Sequence, residues 1–436
     1  MPIKKQILQL ILVFGFINSY SQKTILNLKD AVNIAISKIN EAILANVKIE
    51  TKKLEYEVIK NIQYPDFKIS GQYLRLAGAT VDFKSTNPNA AASPSVNELI
   101  IGQANINFPI FSGLKIQNSF KANENLYQAE KSKSLHTREE IALKVVESYA
   151  NLYRAQKTVA LLNENLKSAN QRVKDFTDLE KNGIIARNDL LKAQLQESKV
   201  QLSLDEANKN VSIVNYYLIT ILKLPEEYRI AIDEHQFDNN QTINIIGNQR
   251  DALKNRKDLI VFDFYQKAGE NNIAIAKSSY FPQIALKAGY TALQLQNVAT
   301  ITNALSFGLG FNYDLSSIFK VGKDIKLAKN KLQETIQSRE ILSENVKIQV
   351  QQSIENYNLA LKQNLIYQEA IGQTTENYRI VKDKYDNGLS NTNDLLEADF
   401  EQLNSKVNYA LARANEMLKY YEMQAAAGAL ITSFKN

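Results

Sequence analysis

The chain has 436 residues, a formal charge of +6, 44% hydrophobic residues and no cysteine. That length allows about one to three domains and a large apolar core. The missing thiols exclude disulfides, cysteine nucleophiles, cysteine zinc sites and a lipid-modified N-terminal cysteine, and the low counts of glycine (15) and proline (7) suit long helices better than an all-β fold.

Lys4 and Lys5 precede an apolar run from Ile7 to Ile17, which a small polar stretch follows at Asn18-Ser19-Tyr20-Ser21. That order predicts a secretory signal peptide over residues 1–21, cut just before Gln22. The run is about half the roughly twenty residues that a membrane helix needs. Removal of Lys4 and Lys5 takes the charge from +6 to +4, and the remaining charges are scattered along helix faces. Nucleic-acid binding would call for a concentrated basic stripe, so the charge reads as solvated surface and no nucleic-acid partner is expected. Charged residues interrupt every later apolar stretch, so a membrane crossing would require closed β-sheet.

In chain order, the pattern predicts a helix over about 28–61 and a strand from Phe67 to about Phe83. A loop from Lys84 to Asn97 and a strand around Ile100–Phe108 follow. From Gly113 to Lys181 there is no proline or further glycine, so one helix of about 100 Å is expected at 1.5 Å per residue. Its apolar positions keep heptad spacing at Val145, Leu152, Val159, Leu166 and Val173, with Ala155, Leu162, Ala169 and Phe176 alongside. A tight turn leads to a helix over about 188–223, and then the order repeats. Residues 283–292 and 305–313 read as strands around a loop near Asn297 to Asn303. A second long helix, a turn and a last helix close the chain, with Leu396, Phe400, Leu403, Val407, Ala410, Ala414, Met417 and Tyr421 as its expected seam.

Each strand alternates. Phe67, Ile69, Gly71 and Tyr73 share one side of the first, and Leu305, Phe307, Leu309 and Phe311 share one side of the fourth. Each is long enough for the nine to eleven residues of a tilted membrane strand, with one lipid-compatible face and one wet face. A soluble half-buried sheet alternates in the same way. Four strands do not close a barrel; two chains would bring eight and three would bring twelve.

The halves are copies. Asn182-Gly183, Asn188-Asp189-Leu190-Leu191 and Ala193 recur in register as Asn387-Gly388, Asn393-Asp394-Leu395-Leu396 and Ala398. The same offset pairs Val145 with Val350 and Ser148 with Ser353, and Tyr64-Pro65 is echoed by Phe281-Pro282. Residues 22–230 and 231–436 are therefore expected to be two structural repeats, each of a helix, two strands and a long helical hairpin.

With Leu28-Lys29-Asp30-Ala31 opening the first helix, Phe108-Pro109-Ile110-Phe111-Ser112-Gly113 entering the long one, and the duplicated turns, the chain resembles the TolC family of outer-membrane efflux proteins. The resemblance covers nearly all of the expected mature chain. It implies a mainly α protein with membrane β-structure, in which long antiparallel coiled-coil hairpins form an α-barrel. Three protomers would pool four strands each into a trimeric 12-stranded β-barrel, with the body in the outer membrane and a large periplasmic extension. It also implies a duct without chemistry or cofactor, whose helical turns meet a periplasmic adaptor that links it to an inner-membrane pump.

By position, Asp394 and Glu397 match the family's acidic constriction; repeated three-fold, they would stack rings of negative charge that favour cations. Asp189 and Tyr385 match two partners of the contacts that hold the closed state. Ser390 stands where the third partner is often arginine. Gly183, Ile184, Gly388, Leu389 and Ser390 fall in the turns that dock the adaptor. A second role is open for Asp189 and Asp394, since an acid at a helix start caps free N–H groups and complements the dipole.

Two other classes compete. An enzyme would need a cluster around His136 or His235, the only histidines, and neither stands in an Asp/Glu/His cluster at triad or ligand spacing. A periplasmic coiled-coil adaptor or scaffold without a pore would account for the helices, but would offer one hairpin rather than two.

Overall fold

The computed structural model describes residues 23–81, 95–237 and 249–434. The expected signal peptide, and all but the last three residues of the Lys84–Asn97 loop, lie outside them. The strands are β1 (Lys23–Leu26), β2 (Asp66–Thr80), β3 (Ser95–Phe111), β4 (Arg229–Ile232), β5 (Gln283–Leu295) and β6 (Ala299–Asn312). The helices are α1 (Leu28–Lys38), α2 (Asn40–Lys60), α3 (Lys115–Lys181), α4 (Arg187–Leu222), α5 (Gln249–Asn255), α6 (Lys257–Ser278), α7 (Ser317–Asp386), α8 (Thr392–Ala426) and α9 (Leu430–Ser433). The expected fold class holds: the protein is mainly helical, with long hairpins and four long strands. No helix among the described residues is long and apolar enough to cross a membrane.

The chain divides into two compact units, each drawing on both sequence halves. The first comprises Met1–Asn46, Ser134–Lys257 and Ser343–Asn436. It holds both hairpin turns and a core in which Val145, Val146, Tyr149, Leu218, Leu222 and Leu430 are fully buried. Val145 and its counterpart Val350 are both buried, as are Ser148 and Ser353, whose hydroxyls donate to Lys144 O and Val350 O. Such back-bonding satisfies a buried hydroxyl without breaking a helix. A parallel pair of short strands, β1 with β4, completes this unit in register Lys23↔Arg229 to Leu26↔Ile232. Amide side chains satisfy the β4 backbone: Asn215 donates to Tyr228 O and accepts from Ile230 N, each at 3.0 Å, and Gln156 donates to Ile230 O at 2.7 Å. No local pattern announces this sheet, because its strands are four residues each and lie some two hundred residues apart in the chain.

The expected helix over 28–61 is two helices. Ile39 takes extended backbone (φ −68°, ψ 146°) and keeps its side chain buried, and Asn40 starts the next helix. The Ser37 hydroxyl draws on the Asn33 and Ile34 carbonyls just before the break, competition that favours a helix end there. On α4 a stripe is buried at Leu190, Ala193, Val200, Leu204 and Leu218. On α8 the expected Ala410 and Ala414 are buried and Leu403, Met417 and Tyr421 pack against the core, but Phe400 is exposed and Leu395, Ala398, Asp399 and Leu418 are buried outside the expected seam.

The second unit, Val47–Lys133 with Asp258–Leu342, carries the sheet. Its order is β2-β3-β5-β6, antiparallel throughout. One face is apolar and bare: Phe307 is 90% exposed, Leu305 78%, Ile69 77% and Leu309 73%. A three-residue turn joins β5 to β6, so the expected loop to Asn303 is shorter, and most of it is strand. A bulge there puts Asn303 at φ 59° and breaks the period-2 pattern, which hid the start of β6 from the sequence. The return from strand to helix explains the Phe111-Ser112-Gly113 motif. Gly113 has φ +62°, and a Cβ on it would lie 2.6 Å from Ser278 O, while Phe111 meets Phe281 edge-on at 6.4 Å.

Candidate functional site at the paired hairpin turns

Both long hairpins turn through the same backbone device. In the first, Gly183 (φ +68°) donates to Glu180 O at 2.9 Å and Ile184 to Leu179 O at 2.9 Å. In the second, Gly388 (φ +74°) donates to Tyr385 O at 2.9 Å and Leu389 to Lys384 O at 2.7 Å. These are Schellman ends, in which a left-handed residue lets two orphan helix carbonyls find donors. The residues after the glycines stand bare, Ile184 at 67% exposed and Leu389 at 78%.

The four helix ends share one small core. Phe176, Leu190, Ala193 and Leu395 are buried, with Val173, Tyr378, Val381 and Tyr385 packed against them. Tyr385 stacks on Phe176 at 5.7 Å between ring centroids, and its hydroxyl lies 3.5 Å from that of Thr392. The structure therefore brings Tyr385 of one hairpin onto the other hairpin. Asp189 has a different neighbour, the ammonium of Lys192 at 3.6 Å, and Arg187 faces Glu180 across the first turn at 3.6 Å.

Asp394 and Glu397 are exposed, one helical turn apart at the start of α8. The Asp394 carboxylate accepts from the Ser390 hydroxyl at 2.9 Å and from the Asn391 N–H at 3.5 Å, and its own N–H donates to the Asn391 side chain at 3.0 Å. This is a capping box. Ser390 thus takes up Asp394, where an arginine would have reached further. The first turn has no equivalent: Ala186, which matches Asn391 by position, makes no side-chain cap.

One feature near the turns went unread in the sequence. Arg172 of α3 and Asp399 of α8 form an ion pair at 3.0 Å, with side chains 8% and 6% exposed. Arg172 also donates to the Tyr378 hydroxyl at 3.4 Å, and Asn165 donates to Asp399 at 3.4 Å. Burial works against the Arg172 charge, but the hydrogen bond and the charge of Asp399 more than offset it and hold the guanidinium above its ordinary pKa. The available signal was Asn165 and Arg172 standing a heptad apart beside the apolar seam.

Among the described residues no group of three histidine, cysteine or acidic side chains is placed to hold a metal. His136 lies 3.5 Å from Glu140, one helical turn away.

The fold is that of outer-membrane channels. It superposes on the VceC outer membrane protein of Vibrio cholerae with TM-score 0.78 at 14% identity, covering 92% of this chain and 96% of that one. The CmeC outer membrane channel of Campylobacter jejuni gives 0.79 at 17% identity, covering 92% and 86%. A membrane protein from Pseudomonas aeruginosa gives 0.81 at 13% identity, covering 92% of each. The sequence profile of the outer membrane efflux protein family matches residues 47–222 and 249–429, and the chain belongs to that family. No curated protein sequence matches it. The family is one of transport channels, as the TolC resemblance implied, and its role is efflux at the outer membrane.

Proposed function

We propose that the protein is the exit duct of a tripartite efflux or type I secretion system, passively conducting what a periplasmic adaptor and an inner-membrane pump deliver. The observation that carries this is the sheet: four antiparallel strands with one bare apolar face, in which the outer edges of β2 and β6 meet no further strand among the described residues. Open edges with lipid-facing side chains demand closure, because no water satisfies backbone groups within a bilayer. Three copies supply twelve strands. The protein then lies in the outer membrane with its helices in the periplasm, as a homotrimer. Residues 22–230 and 231–436 act as two repeats, each contributing two strands and one hairpin.

In this reading the exposed turns, Gly183-Ile184 and Gly388-Leu389-Ser390, dock the adaptor, while Asp394 and Glu397 ring the pore. The capping box supports a fixed carboxylate at the second turn, and exposure leaves both acids available to permeating ions. Tyr385, stacked on Phe176 of the other hairpin, belongs to the contacts that hold the turns together, and Asp189 is assigned to the gate by its position.

The test is fractionation. The mature chain is expected in the outer membrane as a detergent-requiring trimer whose gel mobility shifts on heating; a water-soluble monomer would overturn the reading. In the reconstituted channel, Asp394→Ala with Glu397→Ala is expected to lower cation selectivity, and unchanged selectivity would remove the gate assignment. Gly388→Val is expected to impair adaptor coupling while the trimer survives.

A further inference from the structure

The sheet has a second polarity pattern, running along its other face. Nearest the helices that face is polar. Asp66, Asn107 and Lys287 pair across β2, β3 and β5, and the next row is Lys68, Asn105, Gly289 and Ser306. Ser70, Gln103 and Thr291 follow. Beyond them, toward the hairpin connections, the face turns apolar. Ile101 pairs with Leu293 and Leu293 with Ile301, with Gln72 of β2 as the one polar member of that row, and the row after it is wholly apolar, joining Leu74, Leu99, Leu295 and Ala299.

The opposite face changes in the reverse sense at the same level. Arg75 pairs with Glu98 there, and Gln294 with Thr300. A strand that had simply left the bilayer would become polar on its outer side only. Here the outer side gains charge while the inner side loses it. On the central strands Ile101, Leu293, Leu99 and Leu295 are half-buried within the single chain, while Leu74 and Ile301 on the outer strands are exposed.

We infer that these six side chains form an apolar collar inside the outer mouth of the duct, a desolvation barrier that passes apolar and amphiphilic solutes and retards charged ones. The inference rests on the duct reading, which supplies the three-fold closure. A hydrated ion crossing the row of Leu74, Leu99 and Leu295 must shed water with no polar side chain in that row to replace it, as in channels that gate by dewetting. The same row solvates a hydrocarbon surface.

The chain has no cysteine, so a single introduced thiol reports without background. Asn105→Cys lies on the helix side of the collar, and it is labelled from outside intact cells with a sulfonated maleimide and, separately, with an uncharged one of similar size. With Ile101→Asn and Leu293→Asn added, labelling by the charged reagent is expected to speed up about tenfold and labelling by the uncharged reagent to change less than about twofold. Equal rates for the charged reagent with and without the substitutions would overturn the collar. A parallel rise for both reagents would also overturn it, since that is a steric neck. If the asparagine pair blocks assembly, Ile101→Ser with Leu293→Ser is read in the same way. Failure of the duct reading looks different: Phe307→Cys, on the opposite face, would then label from outside as fast as Asn105→Cys.

Discussion

Arg172 and Asp399 meet 3.0 Å apart in a site almost closed to solvent, one on the first hairpin and one on the second, 227 residues apart in the chain. Removing one partner strands a buried charge. Asp399→Ala is expected to lower stability by roughly 3–5 kcal/mol, and Arg172→Met with Asp399→Leu to recover most of that loss. Thermal unfolding of the purified protein checks both, and a double variant as unstable as the single one would show that packing, not charge, dominates there.

The turn glycines differ in why they are needed. Around Gly183 and Gly388 a Cβ would meet nothing within 4 Å, so the requirement is the positive φ alone. Replacement by alanine should cost about 1–2 kcal/mol at each. Gly113 combines a positive φ with a 2.6 Å approach to Ser278 O. Gly113→Ala should therefore lower the unfolding midpoint more than Gly388→Ala, and the reverse order would contradict the geometry.

The two turns also differ in capping. Asn391→Ala should remove the cap of α8 at a cost of about 1 kcal/mol. Ala186 already has the extended backbone of a cap (φ −78°, ψ 151°) but no side-chain acceptor. Ala186→Asn should add a cap worth up to about 1 kcal/mol, detectable as slower amide exchange in the first turn of α4.

Glu139 carries a pH signature. Burial raises its pKa, although the N–H of Ile431 donates to it at 3.2 Å. A carboxyl whose pKa is higher folded than unfolded binds its proton more tightly in the native state. Its contribution is fully present below the unfolded value near 4.5 and is lost as pH rises through the folded value. Glu139→Gln keeps an acceptor and cannot ionise. It should be more stable than the parent at neutral pH, with the advantage shrinking as pH falls toward 4.5. Unfolding midpoints across that range give the answer.

Much of the fold was legible because it is periodic. Heptads marked α3, alternation marked the long strands, and the repeated Asn-Gly and Asp-Leu-Leu placed both turns where the structure has them. The failures were local or non-local exceptions to period. Ile39 breaks a helix with a single extended residue, Asn303 breaks the strand pattern with a bulge, and β1 pairs with β4 across a gap in sequence too long for either to signal the other. On α8 the miss was Phe400, which stands exposed while the neighbouring small Ala398 lies in the buried stripe.

At the candidate site, the sequence by itself determined the turns, since a left-handed C-cap needs glycine whatever surrounds it. It also determined that Asp394 is followed three residues on by Glu397, where Asp189 is followed by Lys192. Only the tertiary structure decided what each side chain holds. Tyr385 stacks on Phe176, Ser390 serves Asp394, Asp189 keeps to Lys192, and Arg172 finds Asp399. Backbone geometry is written in neighbouring residues, whereas an ion pair between two helices depends on the packing that brings them together, and no short stretch of sequence contains it.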